Sequence, residues 1–268
     1  YLYCLSYHSD MKIGLDIMGG DFAPKAAVLG AIEAQKALSA EQKLVLFGDK
    51  DQALPFIKEA GIDPDVFEFV HTTEVIGMGE HGTKSVLQKP NSSISLGFQY
   101  LKEGKINSFS SAGNTGAMLV GAIFSVKPVP GVIRPAVATN VPKLKSGFGI
   151  MLDVGANADC KPEVLAQFGL LGSLYAEHVY HIQNPKVGLM NLGEEEEKGN
   201  VLTQSTFPLL QKSDINFIGN IEGRDLFNDK ADVIVCDGFT GNVMLKLAET
   251  FYILTLKKGF KDEFFDRF

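Results

Sequence analysis

The chain has 268 residues, 45% of them hydrophobic and 21% charged, and carries a formal net charge of -7 at pH 7. That length suits one large α/β domain or two modest lobes, and the acidic balance leaves no whole-molecule basic field for nucleic acid. No apolar run reaches the roughly 18 residues that a membrane span needs. The first ten residues, YLYCLSYHSD, lack the basic start and continuous apolar stretch of a signal peptide. Strand-like sequence begins at Met11, so residues 1–10 are expected to be an extension. The three cysteines, Cys4, Cys160 and Cys236, are scattered and form no C-x-x-C pair. They argue against a disulfide framework or a thiolate zinc site and fit a reducing cytoplasm.

One pattern recurs along the chain. A short apolar or β-branched run ends in a cluster of Gly, Asp, Asn or Ser, and helix-like sequence follows. KIGLDI leads to MGGD, KLVLFG to DKD, NSFS to SAGNTGA and GIMLDV to GAN. KVGLMN leads to LGEEEEKGN, INFIG to NIEGRD and ADVIVC to DGFTGN. The runs have the length of buried strands and the spacers suit crossover helices. An α/β fold is expected, with a mainly parallel sheet and helices on both faces. No linker or low-complexity segment divides the chain, so residues 11–268 are expected to form a single α/β domain. The proline- and valine-rich segment 127–142 reads as an irregular or extended excursion.

Several familiar motifs fail for want of context. GMGEHG, residues 77–82, matches G-x-G-x-x-G, but only a short helix fits before Pro90 and no βαβ unit surrounds it, so it reads as a loop. Walker-type and G-x-S-x-G sequences are absent. His178 and His181, three apart on an expected helix, have no third ligand nearby and read as packing or surface residues. No metal and no cofactor is expected.

The glycine clusters carry more. Glycine lets the backbone turn and approach a ligand closely. Successive N–H groups at a helix N-terminus make an anion site. One such loop alone is an ordinary turn or cap. Four at strand ends, MGGD, SAGNTGA, DVGAN and DGFTGN, point to a polar anion-binding cleft at the carboxyl ends of the strands. The candidate substrate- or phosphate-binding residues are Asp16, Gly19, Gly20, Asp21, Asn114, Thr115, Gly116, Asp153, Asn157, Asp237, Thr240 and Gly241. Glu194 to Glu197 read as a solvated loop. Lys198, which follows them, reads alone as a surface lysine, but a lysine at a strand-end loop in such a cleft can neutralise an oxyanion or phosphate. None of these loops contains a nucleophile in an activating context.

LDIMGGDFAPKA, SAGNTGA, LDVGANADCKPE, NLGEEEEKGN, NFIGNIEGRDLF and DGFTGNV, taken in order, resemble the acyl carrier protein-dependent phosphate acyltransferases of bacterial phospholipid synthesis, the PlsX family. The resemblance runs from Met11 to about Lys246. It implies a Rossmann-like three-layer architecture of the isopropylmalate dehydrogenase-like kind. It also implies a reaction in which inorganic phosphate attacks the thioester of a long-chain acyl-acyl carrier protein and leaves as acyl phosphate. The nucleophile is then a substrate, which accounts for loops rich in hydrogen-bond donors but without a nucleophile. By resemblance the catalytic residues are Lys198 and Asn242. The partners implied are acyl carrier protein, phosphate and a second copy in a homodimer, in the cytoplasm with peripheral membrane contact.

The chain departs from the family in three places. TKSVLQKPNSS has Lys84 and Lys89 where the family has arginines. The chain stops at Phe268, short of the family's glycine-rich strand region and final helix, so that segment is expected to be lacking. Residues 1–10 have no counterpart. The alternatives are a phosphotransacetylase-like enzyme with a coenzyme A thioester donor, and a non-catalytic scaffold for carrier protein or membrane.

Overall fold

In the computed structural model, residues 11–145 and 147–259 are described. Residues 1–10, read above as an extension, and Lys261, in the basic end of the apolar C-terminal stretch, lie outside them. The chain divides into two compact units after Lys127, at the start of the proline-valine segment.

The first unit alternates strand and helix. Its strands are β1 (Met11–Asp16), β2 (Gln42–Gly48), β3 (Glu68–His71) and β4 (Ser108–Ser110). Its helices are α1 (Lys25–Ala37), α2 (Lys50–Glu59), α3 (Gly82–Gln88), α4 (Ser93–Lys102) and α5 (Thr115–Ser125). The sheet has the order β3-β2-β1-β4 and every pairing is parallel. β2 shows why its run is continuously apolar. Leu44 and Leu46 pack with Val28, Ile32 and Ile57 from α1 and α2. Val45 and Phe47 turn the other way, onto Ile106, Tyr100 and Phe109. Alternate side chains of a strand face opposite sides, so a strand covered on both faces needs no polar positions.

The second unit holds β5 (Ala138–Pro142), β6 (Phe148–Leu152), β7 (Lys186–Met190), β8 (Asn216–Ile221) and β9 (Val233–Val235). Its helices are α6 (Pro162–Val179), α7 (Val201–Gln211) and α8 (Gly238–Lys257). The order is β5-β6-β9-β7-β8, with β5 antiparallel to β6 and the other pairs parallel. Ile150, Leu152, Val187, Leu189, Val233 and Val235 pack against Leu165 and Phe168 of α6 and Leu210 of α7. Met151, Met190 and Ile234 face the other side, where Met244 and Leu245 of α8 cover them. Phe168 and Leu210 are fully buried, and truncating such a residue costs about 2–5 kcal/mol.

The expected α/β architecture is present, with its strands shared between two sheets. Two strands lie outside the sequence expectation. β3 is short and only half-buried, so its pattern carries little signal. β5 occupies the last five residues of the proline-valine segment and forms a sheet edge, where a terminal proline loses no ladder bond. The pair His178 and His181 does not share a helix: α6 ends at Val179, and His181 has a positive φ of 57°. No helix among the described residues is long and apolar enough to cross a membrane.

Candidate active site

In the second unit, the DVGAN loop leaves β6 and the DGFTGN loop leaves β9, a neighbouring parallel strand. Asp153 organises the first. Its fully buried carboxylate accepts five hydrogen bonds: from the N–H groups of Val137 (3.1 Å), Gly155 (3.1 Å), Ala156 (3.0 Å) and Asn157 (2.6 Å), and from Asn157 Nδ2 (2.8 Å). The N–H groups that sequence reasoning offers to a ligand anion are here wrapped around the chain's own carboxylate. Asn157 Nδ2 also donates to Pro135 O.

Asp237 is the N-cap of α8, its carboxylate accepting from the N–H and the hydroxyl of Thr240 (2.9 and 2.8 Å). The first of these satisfies one of the free N–H groups of the first turn, and an acidic cap suits the positive end of the helix dipole. The helix end sits directly on the 153–157 loop. Gly238 N donates to Asn157 O at 2.8 Å. A Cβ at position 241 would lie 2.0 Å from Asp153 O and 2.9 Å from Cys236 Sγ, so only glycine allows the approach. One turn in, Asn242 is exposed and its Nδ2 reaches Val154 O at 3.2 Å.

Lys198 ends the run of glutamates between β7 and α7. Asn191 Nδ2 holds its carbonyl (3.0 Å) and Asn200 caps α7 through the N–H of Thr203 (2.9 Å). Asn220 Nδ2 holds the carbonyl of Glu195 (2.8 Å), and Gln204 Nε2 that of Glu197 (2.7 Å). All four glutamates are exposed, as a solvated loop requires. Glu194 pairs with Lys230 (2.7 Å) and Arg224 (3.4 Å). The hydrogen bond from Lys230 holds its carboxyl below the usual range and raises the Lys230 ammonium in turn. The exposed ammonium of Lys198 makes no ion pair or hydrogen bond among the described residues.

A cavity of about 370 Å³ opens at the carboxyl ends of β7 and β9. Asn191, Asn200 and Thr203 line it from one side, Asp237, Thr240 and Met244 from the other. Lys198 and Asn242 are not among its lining residues: Lys198 lies between two of them in sequence, and Asn242 turns from the helix face shared by Thr240 and Met244. A larger groove, about 580 Å³, lies between β5 and α8, with Val141, Met151 and Leu245 in its wall and none of the glycine loops. Asn191, Asn200 and Thr203 escape the sequence reading. Asn200 had one available signal, an asparagine just before an apolar helical run.

The first unit joins the other two loops. β1 and β4 are parallel neighbours, so MGGD and SAGNTGA emerge together. Buried Asp16 accepts from Met18 N (2.8 Å) and from the Ser111 hydroxyl (2.7 Å). Gly19 packs so closely on Gly113 that an added Cβ would lie 2.6 Å from its nitrogen. Gly20 has a φ of +98°, which glycine adopts without steric cost. Asn114 caps α5 through Ala117 N (2.9 Å) and donates from Nδ2 to the carbonyls of Gly77, Met78 and Glu80. It thereby anchors the GMGEHG segment, a loop as expected. Thr115, Gly116 and Asp21 are exposed. Lys89 is committed to Glu80 (2.6 Å). With the Gly77 N–H and Ser85 hydroxyl, it lowers the Glu80 carboxyl to about 2. The four loops thus fall two to a unit.

Among the described residues no cluster of three His, Cys, Asp or Glu side chains could hold a metal ion. Cys160 and Cys236 are free thiols. Burial first, then Asp153 and Asp237, push Cys160 to about 11, and burial pushes Cys236 higher.

Parallel strands, capped helix starts and a cavity of mixed lining at the strand ends define an α/β protein, and its fold is shared by solved phosphotransacylases. Solved structures agree. A phosphotransacetylase from Streptococcus pyogenes matches with a TM-score of 0.66 and 14% identity, over 91% of this chain and 82% of that one. A branched-chain phosphotransacylase from Enterococcus faecalis V583 matches with a TM-score of 0.63 and 13% identity, over 90% and 84%. At these identities the likeness is one of fold. Sequence carries the assignment further. Residues 11–267 match the family described as "Fatty acid synthesis protein", and the chain belongs to that family. It is 46% identical over 240 residues to the phosphate acyltransferase of Dictyoglomus turgidum, covering 89% of this chain and 71% of that protein. It is 47% identical over 251 residues to the phosphate acyltransferase of Endomicrobium trichonymphae, covering 92% and 73%.

Proposed function

We propose that this chain transfers a long-chain fatty acyl group from acyl-acyl carrier protein to inorganic phosphate, releasing the carrier thiol and acyl phosphate. The carrying observation is near-half identity, over about nine-tenths of the chain, to proteins named phosphate acyltransferase. A phosphate oxygen attacks the thioester carbonyl, the tetrahedral intermediate collapses, and the carbon–sulfur bond breaks. The protein's work is to hold two anionic substrates together and to stabilise the oxyanion. Lys198 supplies an uncommitted cation for the phosphate or the oxyanion. The second N–H of the Asn242 amide orients it. Asp153, Asn157, Asp237 and Gly241 set the backbone on which Asn242 stands. The same reading takes a second copy, or the membrane surface, as cover for the exposed apolar residues Val243, Leu247, Phe251 and Leu254 of α8.

The test is acyl phosphate formation from palmitoyl-acyl carrier protein and phosphate, trapped with hydroxylamine, beside an acetyl-coenzyme A control. Product from the carrier-protein donor alone is expected. Product from acetyl-coenzyme A alone would replace the donor, and none from either would refute the activity. Lys198→Ala is expected to lower turnover by roughly 100-fold or more, as loss of a fixed oxyanion donor does.

A further inference from the structure

We infer that Lys230 is a positioning residue, which fixes the glutamate loop through Glu194 and so sets the place of the Lys198 ammonium. The inference rests on the proposed role of Lys198. Three features carry it.

The first is the frame on which Lys230 stands. After β8 the chain makes a short 3-10 turn, Gly223–Asp225, closed by a reciprocal cap between Glu222 and Asp225. Asp225 accepts from Glu222 N (3.0 Å), from Asn228 Nδ2 (2.8 Å) and from Lys230 Nζ (3.0 Å). Asn228 in turn accepts from Lys230 N (2.9 Å). The lysine is thus held at its backbone and at its ammonium, and the ammonium has one further reach, to Glu194.

The second is the loop itself. Glu195, Glu197 and Lys198 are each held through a backbone carbonyl, by Asn220, Gln204 and Asn191. Glu194 is held through its carboxylate, by Lys230 and Arg224. Asn220 is 4% exposed, yet its Oδ1 has no hydrogen-bond partner. A buried polar atom without a partner is a cost, carried here by a side chain whose N–H group fastens the loop.

The third is charge. Four carboxylates precede Lys198, and any of them pairing with it would neutralise a cation meant for a substrate. Lys230 and Arg224 take Glu194, the residue at the head of the run, and Lys198 stays unpaired.

The experiment compares Lys230→Met, Lys230→Arg, Glu194→Gln and the Glu194→Gln/Lys230→Met double variant. Steady-state rates are measured with phosphate varied at saturating acyl donor, then the reverse. Lys230→Met is expected to lower kcat/KM for phosphate about tenfold or more, since small displacements of a positioned group cost that much. The KM for the acyl donor should stay within about twofold. Lys230→Arg, which can still bridge two carboxylates, should recover most of the loss. The double variant should be no worse than the poorer single one, because one link is broken either way. Hydrogen exchange of the peptide spanning residues 191–200 should speed up in Lys230→Met. Unchanged kinetics, an equal loss toward both substrates with a fallen thermal midpoint, or unchanged exchange would each overturn the inference. A wild-type protein that forms no acyl phosphate, with the loop loosened by Lys230→Met, would instead refute the activity on which it rests.

Discussion

Replacing Asp153 by Asn changes one atom and should cost far more than its size suggests. The carboxylate is fully buried and accepts five hydrogen bonds, three on Oδ1 and two on Oδ2. An asparagine in its better orientation keeps its oxygen toward the N–H groups of Val137, Gly155 and Ala156. Its NH₂ then meets Asn157 N–H and Nδ2, donor against donor. Two charge-assisted bonds are lost, at about 1.5–3 kcal/mol each, for a total of about 3–6 kcal/mol. That is a large share of the ~5–15 kcal/mol by which native domains are stable. The disturbance should also travel. The 153–157 loop seats α8 through Asn157 O and supports Asn242 through Val154 O, so turnover should fall with stability. Urea unfolding followed by circular dichroism measures the first effect and the hydroxylamine assay the second. A variant within about 1 kcal/mol of wild type would refute the view that this carboxylate organises the loop.

Further outcomes follow from the same contacts. Gly241→Ala should destabilise by about 1–3 kcal/mol, because its Cβ meets Asp153 O at 2.0 Å; Gly30→Ala, on an open face of α1, should stabilise by about 0.5–1 kcal/mol in the same thermal melt. Glu80 has its carboxyl lowered from 4.5 to about 2 by Lys89 first. A carboxyl depressed by folding contributes stability above its unfolded value, lost as pH falls from about 4.5 through about 2. Glu80→Gln should therefore flatten the acid limb of a stability-versus-pH curve, and an unaltered limb would remove Glu80 from it. The thiols of Cys160 and Cys236, held above the ordinary range by burial, should resist iodoacetamide at pH 8. Mass spectrometry of tryptic peptides reads this, and rapid alkylation of either would contradict the burial.

The strand ends that carry the candidate loops were legible without coordinates. Apolar runs broken by Gly, Asp and Asn mark strand ends, and a parallel sheet gathers those ends on one edge. Seven strands are readable on that logic. β3 and β5 are not, because a half-buried or edge strand has no continuous apolar pattern. From the residues alone Lys198 reads as one loop cation and Asn242 as one amide among several, and only the resemblance singles them out as catalytic, since one exposed lysine or asparagine has no distinguishing local pattern.

The sequence alone determined the α/β class, because alternating buried strands and crossover helices leave few other arrangements. It also placed glycine clusters at the strand ends, whereas which of those glycines are required was decided by contacts such as Gly241 on Asp153 O. Only the tertiary structure decided what the polar residues of those glycine loops face. DVGAN reads as a set of donors for a foreign anion, but residues 137 and 155–157 enclose Asp153. Asn114 reads as a ligand amide and instead ties three carbonyls of another loop. Four glutamates read as one solvated run, yet the first is tied to Lys230, thirty-six positions away in the chain. A hydrogen bond needs a partner at about 3 Å, and which groups meet at that distance is settled by the packing of distant segments.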